Sequence, residues 1–591
     1  MTSPQTEYCE IDFPDSATEG RLTAIFSEPA FILRTTKIEE VSAFLSQAEA
    51  YAISGYWVVG FVAYEAAAAF DKALQTINIP PKEMPLAQFA VYRNVSTAPR
   101  TRKSHLIGVW QDETSRDIFD TTLAKVKLDI TDGNYYQVNY TTRLRAPFIG
   151  DGLSFFDELK LSQPSAYCAY INFGAWQICS VSPELFFHYV VNTESGNLLT
   201  CRPMKGTAKR HSDPVKDQES AKNLRASEKE RAENLMIVDL LRNDMSHVAL
   251  TATVKASPLF TVEAFPTVWQ MTSTITCQTK KETGLLQIFK ALFPCGSVTG
   301  APKVAAMTKI KEIEKTPRGV YCGAIGMIKP GGEAIFSVGI RTPVIDHENC
   351  TAICGIGSGI TIGSLADNEY DEWISKQTFL RQSSPDYELL ETIRLHQGRF
   401  WLLNGHLKRM ERSACELAFP FHENKILEAL SLTAKKYSQS QWRVRLRLSC
   451  TGEVNVDVLP LDTIPRLPRI ALASTAVASD NPWLRYKTTR REIYSLLSIK
   501  QDDIFDTLLF NERGEITEFT RGNLLIKKQG RLLTPAFNCG LLPGVLREIL
   551  LKRNRVHETI VTRDDLRQAK NVWFANSVRG VIPVCLENIG L

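Results

Sequence analysis

Lys205 lies in Pro203-Met204-Lys205-Gly206-Thr207, a stretch that reads as a short turn between apolar runs and offers a single primary amine. Carboxylates bracket it in the chain: Glu184 follows Ser182-Pro183 upstream, and Glu230 and Glu233, three apart on one helix face, lie downstream. An amine held among carboxylates in a folded core can act as a nucleophile, whereas a solvated turn lysine needs no such company. A second group recurs where Glu369, Glu372 and Lys376 follow the i, i+3, i+7 spacing of one helix face, shortly after Gly355, Gly357 and Gly359. A charge stripe of this kind ordinarily faces solvent. Behind glycines that let a ligand approach the backbone, it becomes a candidate metal and anion site.

The elements that must carry these groups follow from periodicity. Apolar spacing predicts helices near Ile38 to Ala52, Ile118 to Thr131 and Ser227 to Asn243, and strands over Tyr167 to Phe173, Ala175 to Val181 and Leu185 to Val191. Gly133 to Arg143 reads as a turn feeding a strand, Ser212 to Arg225 as a polar surface loop, and Asp367 or a neighbour as a helix cap. Cys295 to Val304 is a turn-to-helix junction without the Gly-Lys-Ser/Thr ending of a P-loop, so a nucleotide phosphate is excluded. The glycines at 355, 357 and 359 have the wrong spacing for a dinucleotide fingerprint. A domain boundary is expected at Gln382 to Asp386, beyond which strands are predicted at Leu389 to Leu395, Arg443 to Ser449, Thr507 to Phe510, Gly522 to Ile526 and Asn571 to Phe574, with a helix around His406 to Leu417.

A chain of 591 residues with 44% hydrophobic and 23% charged residues is an ordinary globular composition, too long for one core. The net charge of +4 is dispersed, which argues against a nucleic-acid partner. The 13 cysteines form no CxxC pair and read as reduced, mostly buried thiols. A polar, acidic N-terminus and the lack of a long apolar run predict no membrane association and a cytoplasmic location.

Residues from about 120 to 380 resemble the chorismate-utilising enzymes, through Ser182-Pro183-Glu184, Arg242-Asn243-Asp244, Gly296 to Lys303, Arg318-Gly319-Val320-Tyr321, Ile340-Arg341-Thr342 and Glu369 through Lys376. Residues 387 to 591 resemble the class IV pyridoxal-phosphate enzymes, through Glu388 to Thr392, His406 to Arg409, Tyr486-Lys487-Thr488, Glu518, Leu541 to Gly544 and Asn576-Ser577. The resemblance implies an α+β chain: a two-sheet α/β sandwich followed by a two-subdomain class IV fold. The expected division is an N-terminal subdomain over 1–115, a chorismate-binding domain over 116–383 and a lyase domain over 384–591.

Among chorismate-utilising enzymes, a lysine at this place marks those that aminate chorismate at C4, where anthranilate synthases carry a small residue. The resemblance therefore implies 4-amination by the first part and pyruvate elimination to p-aminobenzoate, for folate, by the second. It assigns Lys205 as nucleophile and Glu184 as general acid. Thr207, Tyr321, Arg341, Gly357, Gly359 and Lys376 are assigned to the substrate, and Glu233 and Glu372, with Glu369 and Glu230 beside them, to Mg²⁺. In the second part it implies that Lys487 holds pyridoxal phosphate and moves the proton, that Glu518 faces the pyridine nitrogen, and that Arg409, the backbone at Val545 and Leu546, and Ser577 take the phosphate. Burial beside a divalent cation is expected to keep Lys205 neutral. Gln270 stands where anthranilate synthases have a histidine, which argues against pyruvate elimination in the first part. No glutaminase motif is present in this sequence, so ammonia is expected from solution or from a separate glutamine amidotransferase subunit, and the class IV part is expected to form a homodimer. The rival readings are an anthranilate synthase, a class IV amino-acid transaminase in the second part, and a regulatory binding protein.

Overall fold

The computed structural model describes residues 7–15, 20–80, 84–96, 103–163, 166–191, 196–211, 213–265, 268–382, 387–501 and 503–586. The chain divides into two units: one of residues 1–102, 111–145 and 152–383, the other of residues 103–110, 146–151 and 384–591. The boundary expected at 382–386 falls largely on residues outside those described.

The first unit is built on a nine-stranded sheet whose pairings are all antiparallel, running Lys255–Ala256, Ile275–Thr279, Asn197–Arg202, Leu185–Val190, Ala334–Val338, Ala324–Ile328, Trp57–Val62, Ala87–Tyr92, Phe31–Thr35. Alternation with period two sends successive side chains to opposite faces. Val58 and Val62 enter one apolar cluster, with Phe187 and Phe336 and the helices Val41–Ile53 and Leu285–Leu292. Val59 and Phe61 enter another, with Ile11, Phe13, Ala169, Ile171 and Ile178. Those residues belong to a second large sheet, whose path includes Gly300–Ala301, Gln137–Gly150, Thr351–Thr361, Val344–Asp346, Trp176–Ser182, Tyr167–Asn172, Tyr8–Asp15 and Gly20–Ser27. The result is the expected sandwich, in which a fully buried ring such as Phe187 contributes about 2–3 kcal/mol.

Several local expectations are corrected. The polar stretch after Ser212 is a helix, Pro214–Ala226, started by the Asp213 carboxylate accepting from Val215 N and by proline in its first turn. Lys205 lies on a strand, Met204–Lys209, in a three-stranded sheet with Val268–Thr272 and Thr261–Ala264, not on a turn. Asp367 does not cap the helix Ala366–Lys376. Leu365 occupies the cap position, and Asp367 sits in the first turn, where its carboxylate meets Arg116 at 2.5 Å.

The second unit has a four-stranded antiparallel sheet, Arg399–Phe400, Leu389–His396, Gln441–Leu448, Val454–Pro460, with helices Leu403–Glu416 and Glu423–Lys436. Its larger sheet runs Ile516–Phe519, Ile504–Phe510, Arg469–Leu472, Gly580–Leu586, Val572–Asn576, Gly522–Lys528. The first and last of these also pair, closing six strands into a barrel around Leu508, Phe519, Leu524 and Phe574. All 13 cysteines are free and nine are buried, as expected. No helix among the described residues is long and apolar enough to cross a membrane.

Candidate active sites

Lys205 is brought against three elements that the sequence separates widely. Its Nζ meets Glu233 Oε2 at 3.3 Å, Glu233 being on the helix Glu228–Ser246 that Ser227 caps. A Cβ added to Gly359, on the strand Thr351–Thr361, would lie 3.3 Å from that Nζ and 2.6 Å from Gln137 Nε2, so only glycine lets the amine and Gln137 share this spot. Asn234 donates to the Lys205 carbonyl at 3.2 Å and accepts from Ser273 at 2.6 Å, which fixes the strand to the helix.

Burial alone would depress the Lys205 amine. The fields of Glu233, Glu372 and Glu369 outweigh it, and the amine is held above its ordinary value. With these carboxylates bearing on it alone, the lysine is their counter-ion, and the neutral amine is expected of the site with a divalent cation bound. Glu372 is pressed upward by burial but drawn below the ordinary carboxylate range by Lys376 and Lys205, with Lys376 Nζ 2.7 Å from its Oε1. Glu230, packed on Gly206, is raised by burial and then by Glu233. Ser364 donates to Glu369 Oε1 at 2.7 Å, while Glu369 Oε2 is buried without a partner.

Glu184 is 3% exposed, its Oε1 lacks a hydrogen-bond partner, and burial pushes its carboxyl up to about 7. Lys376 Nζ donates to the Gly357 carbonyl at 2.8 Å. Arg341 donates to Gln163, and burial lowers its guanidinium to about 10. The Tyr321 ring lies under Arg143, 5.2 Å from ring centre to guanidinium carbon, and against Gly355, and burial raises its hydroxyl. Thr207 is exposed and gives its hydroxyl to Gln270 at 3.1 Å, while Gln270 donates to Gly206 O at 2.8 Å.

Four glutamates thus converge on two lysines. The donor set of hard oxygens, with one orphaned at Glu369, suits Mg²⁺. With the lysines in place, no group of three or more acidic, histidine or cysteine side chains stands at ligand spacing among the described residues. Gln137, Gln163 and Ser358, whose buried hydroxyl lacks a partner, were not singled out by sequence reading. Gln137 did fall within the turn-to-strand segment noted there.

In the second unit Lys487 lies between the short helices Pro482–Leu484 and Glu492–Leu497, its carbonyl accepting from Leu390 N at 2.9 Å. Burial first, then Arg491 and Arg409, lower its amine to about 7. Glu518 is buried and raised to about 7, accepting from Tyr494 OH at 2.9 Å and Leu542 N at 3.0 Å. Arg409 is clamped by both oxygens of Glu391, at 2.8 and 2.7 Å, with its remaining arm on Pro543 O at 3.1 Å. Glu391 also meets His406 Nδ1 at 2.6 Å and is held down to about 2 by Arg409 and His406 against the push of burial.

Val545 and Leu546 open the helix Val545–Lys552, so their backbone N–H groups have no acceptor within the helix. A Cβ on Gly544 would fall 2.0 Å from Asn523 Oδ1, which fixes glycine at that entry. Ser577 is buried in the turn closed by the Asn576 side chain, which accepts from Val578 N at 3.0 Å and Arg579 N at 2.7 Å. A near-neutral lysine, a carboxyl near neutrality, a buried arginine and a helix start fit pyridoxal phosphate. Sequence reading placed Glu391 and His406 within motif stretches without giving them roles. Tyr494, in a six-residue helix, carried no sequence signal.

Comparison with known proteins agrees with this two-part layout. Residues 95–382 match the chorismate binding enzyme family, and residues 388–586 match the amino-transferase class IV family, whose members use pyridoxal phosphate. The aminodeoxychorismate synthase component 1 of Salmonella typhimurium is 37% identical over 279 residues, 47% of this chain and 60% of that protein. The Klebsiella aerogenes protein of the same name is 34% identical over 315 residues, 53% of this chain and 68% of its own length. The menaquinone-specific isochorismate synthase of Escherichia coli shares the fold at a TM-score of 0.52 and 17% identity, over 65% of this chain and 90% of that one. The alignment spans three fifths of the Salmonella relative, and Lys205, Glu233 and Glu372 all fall inside the family match over residues 95–382. The chain belongs to the chorismate binding enzymes and carries a class IV amino-transferase domain after the chorismate-binding region.

Proposed function

We propose that the first unit aminates chorismate at C4 and that the second eliminates pyruvate from the resulting 4-amino-4-deoxychorismate, yielding p-aminobenzoate for folate. Lys205 carries the reading: an amine against Gly359, 3.3 Å from Glu233, in the field of Glu372 and Glu369. The identity with aminodeoxychorismate synthase relatives supports it.

In its neutral form Lys205 attacks C2 of the cyclohexadiene, the two ring double bonds shift toward C4, and the C4–O bond breaks. Glu184, which retains its proton up to about pH 7, protonates the departing hydroxyl, which leaves as water. Ammonia then adds at C4, the double bonds return, and Lys205 is expelled from C2. Arg341, a buried guanidinium with its bond to the neutral Gln163, and Lys376 receive the two carboxylates, while Tyr321 and Thr207 orient the ring. Mg²⁺ held by Glu233 and Glu372, with Glu369 and Glu230 beside them, would offset the negative charge that keeps Lys205 protonated and draw electron density from the ring through its carboxylate.

In the second unit pyridoxal phosphate supplies the electron sink. Arg409, the amides of Val545 and Leu546, and Ser577 would hold its phosphate, and Glu518 would face its pyridine nitrogen and keep a proton there. Lys487, close to neutral, removes the C4 proton of the substrate, and the C3–O bond then breaks to release pyruvate from an aromatic ring. A separate glutamine amidotransferase subunit delivers ammonia, consistent with the "component 1" in the relatives' names, and the class IV domain pairs as a homodimer in the cytoplasm.

The test supplies chorismate, ammonium and Mg²⁺ with and without pyridoxal phosphate. p-Aminobenzoate and pyruvate in equal amounts are expected only with both cofactors. Anthranilate as the product would overturn the assignment of the first unit.

A further inference from the structure

The strand Gln441–Leu448 places arginine at every second position: Arg443, Arg445 and Arg447 lie on the face opposite Val444, Leu446 and Leu448, which are fully buried in the core. Arg447 is neutralised by Glu388 at 2.6 Å and Asp457 at 3.1 Å. Arg443 has no such partner among the described residues, and its half-buried side chain keeps an Nε–H without an acceptor. Its cross-strand neighbour is another cation, Arg394, whose guanidinium stacks on Trp401 at 4.1 Å.

A third guanidinium completes the group. Arg579, two residues beyond Ser577, feels the like charges of Arg521 and Arg443. Arg521 is paired with Asp506 at 3.2 Å, whereas Arg579 donates to the Asp462 carbonyl at 2.8 Å and feels the Asp462 carboxylate only as a field. Burial depresses both Arg394 and Arg579. Trp401 shares an apolar cluster with Leu546 and Ala575, so Arg394, stacked on Trp401, lies beside the elements assigned to the cofactor phosphate, and Arg579 follows Ser577 by two residues. Half-buried like charges with so little counter-charge favour an anion among them.

We propose that Arg394, Arg443 and Arg579 receive the carboxylates of the second unit's substrate, so that this site selects a dicarboxylate over a monocarboxylate amine. The assignment deepens the lyase reading and rests on it. Guanidinium forks match carboxylates in two-point contact, and a substrate with a single carboxylate leaves part of the cluster unpaired. Three arginines with one weak counter-ion therefore read two negative groups, not one.

The test uses the full-length holoenzyme and an unreactive probe pair, isophthalate and benzoate, followed through the cofactor's absorption band. Arg443→Gln is expected to weaken isophthalate at least about 30-fold and benzoate by less than about threefold, with Arg443→Lys recovering part of the loss. With aminodeoxychorismate the same variant is expected to raise KM about 30-fold and leave kcat within about threefold. Equal isophthalate affinity in wild type and Arg443→Gln overturns the proposal. So does loss of cofactor from that variant, which would give the cluster to the cofactor's phosphate. If the wild type releases no pyruvate yet still discriminates isophthalate through Arg443, the lyase reading fails and the dicarboxylate site stands.

Discussion

Lys205 and Lys487 are the same side chain, each walled in by its own unit, and their surroundings drive them in opposite directions. Three glutamates hold the first amine above its ordinary value, while burial with Arg491 and Arg409 brings the second down to about 7. Desolvation opposes a charged amine in both places. The sign is decided by the neighbours: glutamates crowd the first lysine, whereas in the second unit Glu391 is already spent on Arg409 and His406, and Glu518, raised to about 7, carries only part of a charge near neutrality. One lysine must be released from its carboxylates before it can act, and the other is ready once folded.

The sharpest break of this comparison is to delete each amine in turn. Lys205→Ala should lower amination of chorismate by about 10³-fold or more, with the rate on supplied aminodeoxychorismate within about twofold of wild type. Lys487→Ala should do the reverse and let aminodeoxychorismate accumulate. Product analysis by liquid chromatography separates the two, and a variant that loses both activities would show that the sites are not independent.

A smaller effect tests the cause of the difference. Without Mg²⁺, Glu233→Gln removes the foremost carboxylate acting on Lys205, so its amine should be acylated about tenfold faster than in wild type, as read by peptide mass spectrometry. Labelling of Lys487 should be unchanged.

The pH dependence carries the comparison further. A lysine lowered to about 7 loses its proton as pH rises through 7. Capture of pyridoxal phosphate by the apo-protein should therefore increase about tenfold from pH 5.5 to 6.5 and level off above about 7.5. Glu184, raised to about 7, must keep its proton to act as an acid, so amination should fall as pH rises past that value. The smallest expected change is Thr207→Val, which removes only a hydroxyl shared with Gln270 and should cost about fivefold in KM for chorismate.

Much of this was readable from residue order because the relevant signals are local. The 3.6-residue period placed Glu230 with Glu233 and Glu369 with Glu372 and Lys376, and both helices form where expected. What could not be read is pairing across the chain. Nothing local joins Gln137 to Gly359, Gln163 to Arg341 or Tyr494 to Glu518, since each meeting depends on which strands become neighbours. The helix Pro214–Ala226 was missed because its composition is polar, and its start signal, Asp213-Pro214, outweighs that pattern. The field on Lys205 was equally out of reach, because it sums three carboxylates from two helices that no local signal brings together.

The main chain around Lys487 is tied independently of its side chain: Leu390 N holds the Lys487 carbonyl at 2.9 Å, Thr489 N holds that of Glu388 at 2.9 Å, and Leu389 bridges Thr488. Trimming the side chain therefore leaves a slot of fixed shape, open to a small primary amine from the buffer. Ethylamine or propylamine should restore part of the pyruvate release in Lys487→Ala, with the longer amine more effective because it reaches further along the vacated track.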